Sequence, residues 1–170
     1  EQAWEQAKAA LNQALTEQLW TQAVEACDIM FQSDNQESIQ ALAHGIWLAV
    51  TFPIDPELSV AVLQHLIDET PDNSDGAAVA AATACYLVDL RAKGEQHEDL
   101  HFFTTQLLGQ VAKRHSQVED KEIFDFWVER LELNEPGKFL PRLAQILDTL
   151  TEGNWWYDRD QLRDLIPDEA

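Results

Sequence analysis

Apolar residues recur every three or four positions through most of this chain, which is the spacing of one face of an α-helix. The first segment already shows the spacing, with apolar side chains at Trp4, Ala7, Leu11 and Leu15. The alternation of apolar and polar residues that is typical of a half-buried strand is almost absent. The pattern therefore predicts an all-α protein.

Residues that start and stop helices divide this pattern into about nine short helices. Asp55-Pro56 places a capping residue before a proline in the first turn, and Gly94 and Gly153 are typical of helix ends. The turns are short, and no linker or change of composition separates two halves. We therefore expect residues 1–170 to form a single compact domain, either an antiparallel α-hairpin array or an irregular helical bundle.

The predicted helix after residue 116 carries a row of carboxylates. Ser116–Glu119 fits a capping box, and we expect Ile123, Trp127 and Leu131 on its apolar face. The acidic residues recur at steps of three or four on the other side: Glu122, Asp125, Glu129 and Glu132. We call these four residues the carboxylate ridge. Such a ridge suits a basic partner, and it is equally the solvated face of an ordinary amphipathic helix.

The charge of the whole chain is strongly negative. It has 31 acidic and 11 basic residues, a formal net charge of -20, and residues 1–90 contain Lys8 as their one basic residue. This charge repels nucleic-acid phosphates and anionic lipid, so we predict no direct binding to nucleic acid or membrane. A basic protein partner, mimicry of nucleic acid, adaptation to high salt and plain solubility all remain compatible with it.

Two cysteines and the apolar segments bear on the compartment. Cys27 and Cys85 each lie within an apolar helical pattern, where free buried thiols are expected. No apolar run approaches the roughly 20 residues of a membrane-spanning helix. We therefore predict a cytoplasmic protein without a disulfide.

The sequence His97-Glu98-Asp99-Leu100-His101 matches the H-E-x-x-H pattern of zinc hydrolases. In those enzymes two imidazoles four residues apart hold the ion and the glutamate activates the bound water. Here His97 falls in a first helical turn after Gly94, surplus carboxylates surround it, and no strand is predicted beside it. His115, as a third ligand, would lie roughly 21 Å away along the same helix. We therefore expect both histidines to be solvated, and we predict no metal ion, cofactor or catalytic residue.

The consecutive aromatic residues Trp155, Trp156 and Tyr157 cannot all point into one core. Tryptophan and tyrosine are enriched among the residues that dominate binding energy at protein interfaces. The alternative is that one or two of them cover the end of the bundle. We predict these three residues, together with the carboxylate ridge, as the partner-binding residues.

These observations favour a non-enzymatic interaction protein, an adaptor, scaffold or regulatory partner that engages a basic surface. The first alternative is an inhibitor or immunity-type protein that mimics the charge of nucleic acid. A zinc-dependent hydrolase built on His97, Glu98 and His101 is the alternative from a different class.

Overall fold

The computed structural model describes residues 2–71 and 74–166. In these residues the chain forms nine α-helices and no strand, which confirms the all-α prediction. The helices are α1 (Gln2–Glu17), α2 (Trp20–Gln32), α3 (Ser38–Thr51), α4 (Pro56–Glu69), α5 (Asp75–Arg91), α6 (Gly94–Ser116), α7 (Lys121–Arg130), α8 (Pro136–Thr151) and α9 (Arg159–Arg163). None of the described helices is both long enough and apolar enough to cross a membrane.

The helices group into two compact units. Among the described residues, unit 1 holds 2–54 and 147–166, and unit 2 holds 55–71 and 74–146. The expectation that the 170 residues form one domain stays a prediction.

Unit 1 is built around α2 and α3. α2 packs on both α1 and α3, and the nine consecutive residues Ala41–Ala49 of α3 are all buried. Gly45 makes the close approach of α2 and α3 possible, because a Cβ added there would lie 2.9 Å from the Cβ of Cys27. The same helix α3 brings a buried histidine, His44, into this core.

Unit 2 is built around α5, which packs on α4 and on α6. Nine small or apolar residues in a row, Gly76–Ala84, are buried in this helix. Small side chains let neighbouring helix backbones approach closely, which suits a helix that packs on both α4 and α6. α5 ends at Arg91 and α6 begins at Gly94, so the two helices are joined by a two-residue connection that leaves the end of one beside the start of the other.

The start of α7 differs from the sequence prediction. Ser116 does not cap this helix; it is the last residue of α6, and Gln117 follows in a left-handed conformation with φ 55°. Asp120 is the N-cap instead, and its Oδ1 accepts a hydrogen bond of 2.8 Å from the backbone N–H of Glu122. The capping-box prediction was wrong because Ser116 still belongs to α6 and α7 begins only at Lys121.

Candidate functional site

α7 presents large apolar side chains to solvent. Ile123 is 55% exposed and Phe126 is 64% exposed, whereas Trp127 is 2% exposed. The sequence prediction placed Ile123 on the same apolar face as Trp127 and Leu131, and this was wrong, because Ile123 faces solvent. Phe124 and Val128 are partly buried beside Trp127. The buried face of α7 is therefore formed by Phe124, Trp127 and Val128, and Ile123 is not part of it.

The carboxylates of α7 lie beside Phe126, and Ile123 lies about 60° further round the helix on the far side of Phe126. Glu122, Asp125 and Glu129 are all exposed, and at about 100° per residue they fall within an arc of about 60°. Phe126 lies about 40° from Glu122 on the same helical projection. The Nζ of Lys121 pairs with Oδ2 of Asp125 at 3.2 Å, with both side chains exposed.

Glu132 does not continue this row. α7 ends at Arg130, and Glu132 lies in the following turn with a φ of 59°. It is exposed, but it does not share the helical face of the other three carboxylates. Of the predicted carboxylate ridge, the structure therefore keeps Glu122, Asp125 and Glu129 together on α7.

A partly exposed polar network fixes α7 to the rest of unit 2. The indole N–H of Trp127 donates to Nδ1 of His115 at 3.3 Å, and Nε2 of His115 donates to Oδ1 of Asp75 at 2.7 Å. Arg142 reaches the other oxygen of Asp75 at 3.3 Å and donates to the carbonyl of Leu131 at 2.8 Å. His115 is therefore occupied in holding Trp127, and the exposed face of α7 is set by this anchor.

Three side chains that could bind a metal ion lie close together at the junction of α5 and α6. His97 and His101 stack with their ring centroids 5.4 Å apart. Oδ1 of Asp89, from the last turns of α5, lies 2.9 Å from Nε2 of His97 and 3.4 Å from Nδ1 of His101. The three ligand atoms lie within 4.8 Å of one another. Asp89 was not among the residues predicted from the sequence, although it lies only eight residues before His97, on the other side of Gly94.

In unit 1 the three consecutive aromatic residues surround His44. All three are partly buried. The ring of Trp156 stacks on His44 with centroids 4.1 Å apart, and the hydroxyl of Tyr157 donates to the carbonyl of His44 at 2.8 Å. The indole N–H of Trp155 donates to Oδ1 of Asp148 at 3.0 Å. These contacts give each aromatic residue an internal structural partner, and its role in partner binding stays a prediction.

His44 itself is held in the neutral form. Its Nδ1 donates to the carbonyl of Gln40 at 2.6 Å, and its Nε2 accepts from the backbone N–H of Trp156 at 2.8 Å. Burial, with a smaller effect from Arg159, lowers the pKa of His44 to about 4. A side chain that stays neutral and uses both nitrogens internally stabilises the fold rather than exchanging protons with a substrate.

Both cysteines are free thiols. Burial raises the pKa of Cys27 and of Cys85. Because the thiolate is the reactive form, neither residue is a good nucleophile at neutral pH.

Comparison of the chain with models of protein families, with curated proteins and with solved structures gave no match.

Proposed function

We propose that this protein is a non-enzymatic interaction module that engages a basic protein through the exposed face of α7. We call Ile123, Phe126, Glu122, Asp125 and Glu129 the α7 surface. The observation that carries the proposal is that two large apolar side chains three residues apart on one short helix are more than half exposed, and that three exposed carboxylates adjoin one of them, Phe126.

The apolar pair supplies a source of binding energy. Burying one Ile or Phe side chain completely is worth about 1.5–3 kcal/mol, and more than half of each side chain in this pair is still open to solvent. Interfaces typically combine such a desolvated apolar centre with a polar rim. The anchoring of α7 by Trp127 and His115 holds the pair in place before binding, so little order has to be gained on association.

The carboxylates make the surface selective for a basic partner. The net charge of -20 attracts a positively charged surface and raises its rate of encounter, and Glu122, Asp125 and Glu129 place negative charge at the point of contact. The apolar pair at the same place favours a protein with an apolar pocket among basic residues. A mimic of nucleic-acid charge would bind through the carboxylates alone.

We propose a cytoplasmic location, and the two free thiols support it because free cysteines are typical of a reducing compartment. Trp155, Trp156 and Tyr157 stay a second predicted contact.

The test begins with a pull-down from extract of the native cell at low and high salt, using the immobilised protein as bait. Phe126→Ser is expected to release the captured partner, because loss of one central side chain costs about 2 kcal/mol, or about thirtyfold in Kd. Phe102→Ser is the matched control, because Phe102 is 65% exposed and lies on α6.

Binding kinetics with the captured partner then separate the two components of the α7 surface. Neutralising Glu122, Asp125 and Glu129 together is expected to slow association and to weaken its salt dependence, whereas Phe126→Ser speeds dissociation. The charge-matched control neutralises Glu95, Glu98 and Asp99, which are exposed on α6. Equal effects of the test and control variants would refute the α7 surface. A loss on neutralisation with no effect of Phe126→Ser would favour the charge mimic.

A further inference from the structure

The side chains of Asp89, His97 and His101 form a mixed set of nitrogen and oxygen donors contributed by two helices. His97 and His101 come from the first two turns of α6, four residues apart, and Asp89 comes from the end of α5. Two imidazoles with one carboxylate are a common protein ligand set for zinc and related divalent transition metals.

The distances suit a single ion. Metal–ligand bonds of about 2.0–2.1 Å in a tetrahedral site place neighbouring ligand atoms about 3.3 Å apart. The carboxylate oxygen of Asp89 lies 2.9 Å from one histidine nitrogen and 3.4 Å from the other. We propose that Asp89, His97 and His101 bind one divalent transition-metal ion of the zinc type, with water in the remaining coordination position.

The surroundings favour a cation. Glu95, Glu98 and Asp99 are exposed on the same stretch of α6, and they add negative potential that offsets the positive end of the helix dipole. The three ligand side chains are 35% to 58% exposed, so an ion can reach them from solvent without opening the fold. Because the ligands come from two consecutive helices, the bound ion would cross-link the end of α5 to the start of α6.

The ion proposed here is bound by the protein without catalysing hydrolysis. A zinc hydrolase of the H-E-x-x-H type needs the glutamate of the motif at the metal-bound water. Glu98 is not a member of the group of ligand atoms, and Asp89 supplies the third ligand instead. This inference is independent of the interaction proposed for α7.

The test is calorimetric titration of the chelator-treated protein with Zn²⁺, and with Mg²⁺ as the comparison ion. We expect one Zn²⁺ per chain and no binding of Mg²⁺ at the same concentrations, because Mg²⁺ prefers oxygen ligands. Asp89→Asn and His101→Ala are each expected to lower Zn²⁺ affinity at least about tenfold, since loss of even an outer partner of a metal ligand costs 10–100-fold.

The controls are Glu98→Gln and Asp99→Asn, which remove the same charge as Asp89→Asn from neighbouring exposed positions. Both are expected to lower Zn²⁺ affinity much less than Asp89→Asn does, because they weaken the surrounding potential and leave the three ligands in place. Unchanged affinity in Asp89→Asn would overturn the three-ligand site and leave a simple histidine pair. Equal losses in the two control variants would show non-specific attraction to the acidic surface. Absence of any Zn²⁺ binding by the wild type would refute the proposal outright. Far-ultraviolet circular dichroism of each variant confirms that it is folded before titration.

Discussion

His44 provides a sharp test of the packing in unit 1, because its hydrogen bonds admit only one protonation state. The carbonyl of Gln40 can only accept and the backbone N–H of Trp156 can only donate, so Nδ1 carries the proton and Nε2 has none. A second proton would place two N–H groups against each other at a site with 0% exposure. Folding therefore selects the neutral ring.

The consequence for stability follows from the two pKa values. The pKa of His44 is about 4 in the folded protein and about 6.5 in an unfolded chain. Between these values the unfolded chain binds the additional proton, so the free energy of unfolding falls as the pH falls. The decrease in the free energy of unfolding that is due to His44 is nearly absent at pH 7.5, reaches about 2 kcal/mol at pH 5, and approaches about 3 kcal/mol below pH 4.

Urea denaturation of the wild type and of His44→Gln, followed by tryptophan fluorescence at pH 7.5, 6 and 5, measures this contribution. Glutamine keeps an acceptor for the N–H of Trp156 and removes the titrating group. The wild type is expected to be the more stable protein at pH 7.5, and its advantage should shrink by about 2 kcal/mol at pH 5. The titration of the many surface carboxylates is common to both proteins and cancels in the difference. An advantage that stays constant from pH 7.5 to pH 5 would refute the neutral, doubly bonded histidine.

Two further predictions concern the helices. Gly45→Ala is expected to lower the free energy of unfolding by about 1–2 kcal/mol in urea denaturation, because crowding against Cys27 outweighs the better helix propensity. Gly109→Ala, where an added Cβ meets nothing within 4 Å, should raise it by about 0.5–1 kcal/mol. A gain of stability in both variants would contradict the close packing of α2 on α3. Asp120→Ala should cost about 1 kcal/mol by removing the cap on Glu122, whereas Asp120→Asn should cost little because asparagine caps equally well. Equal losses for these two variants would show that the charge of Asp120 matters and its capping bond does not.

The sequence predicted the helices well, because helical periodicity and capping depend on residues that lie close together in the sequence. The spacing of Trp4, Ala7 and Leu11 gave the buried face of α1, and Asp55-Pro56 gave the start of α4. It failed at α7, where the residues Ser116–Glu119 satisfied a local capping pattern while α6 continued to Ser116. Ser116 fits both the end of α6 and the start of a capping box, and in the structure it is the last residue of α6.

The sequence by itself thus determined the class of the fold, the number of helices and the excess of negative charge. Which side chains meet across helices was decided only by the tertiary structure, because it depends on how neighbouring helices pack. That packing brought Asp89 to His97 and His101 and turned Ile123 and Phe126 toward solvent. It also placed Trp156 and Tyr157 around His44, more than 100 residues earlier in the chain. Helical periodicity identifies an apolar face from residues four apart, but it carries no information about contacts between residues so distant in sequence.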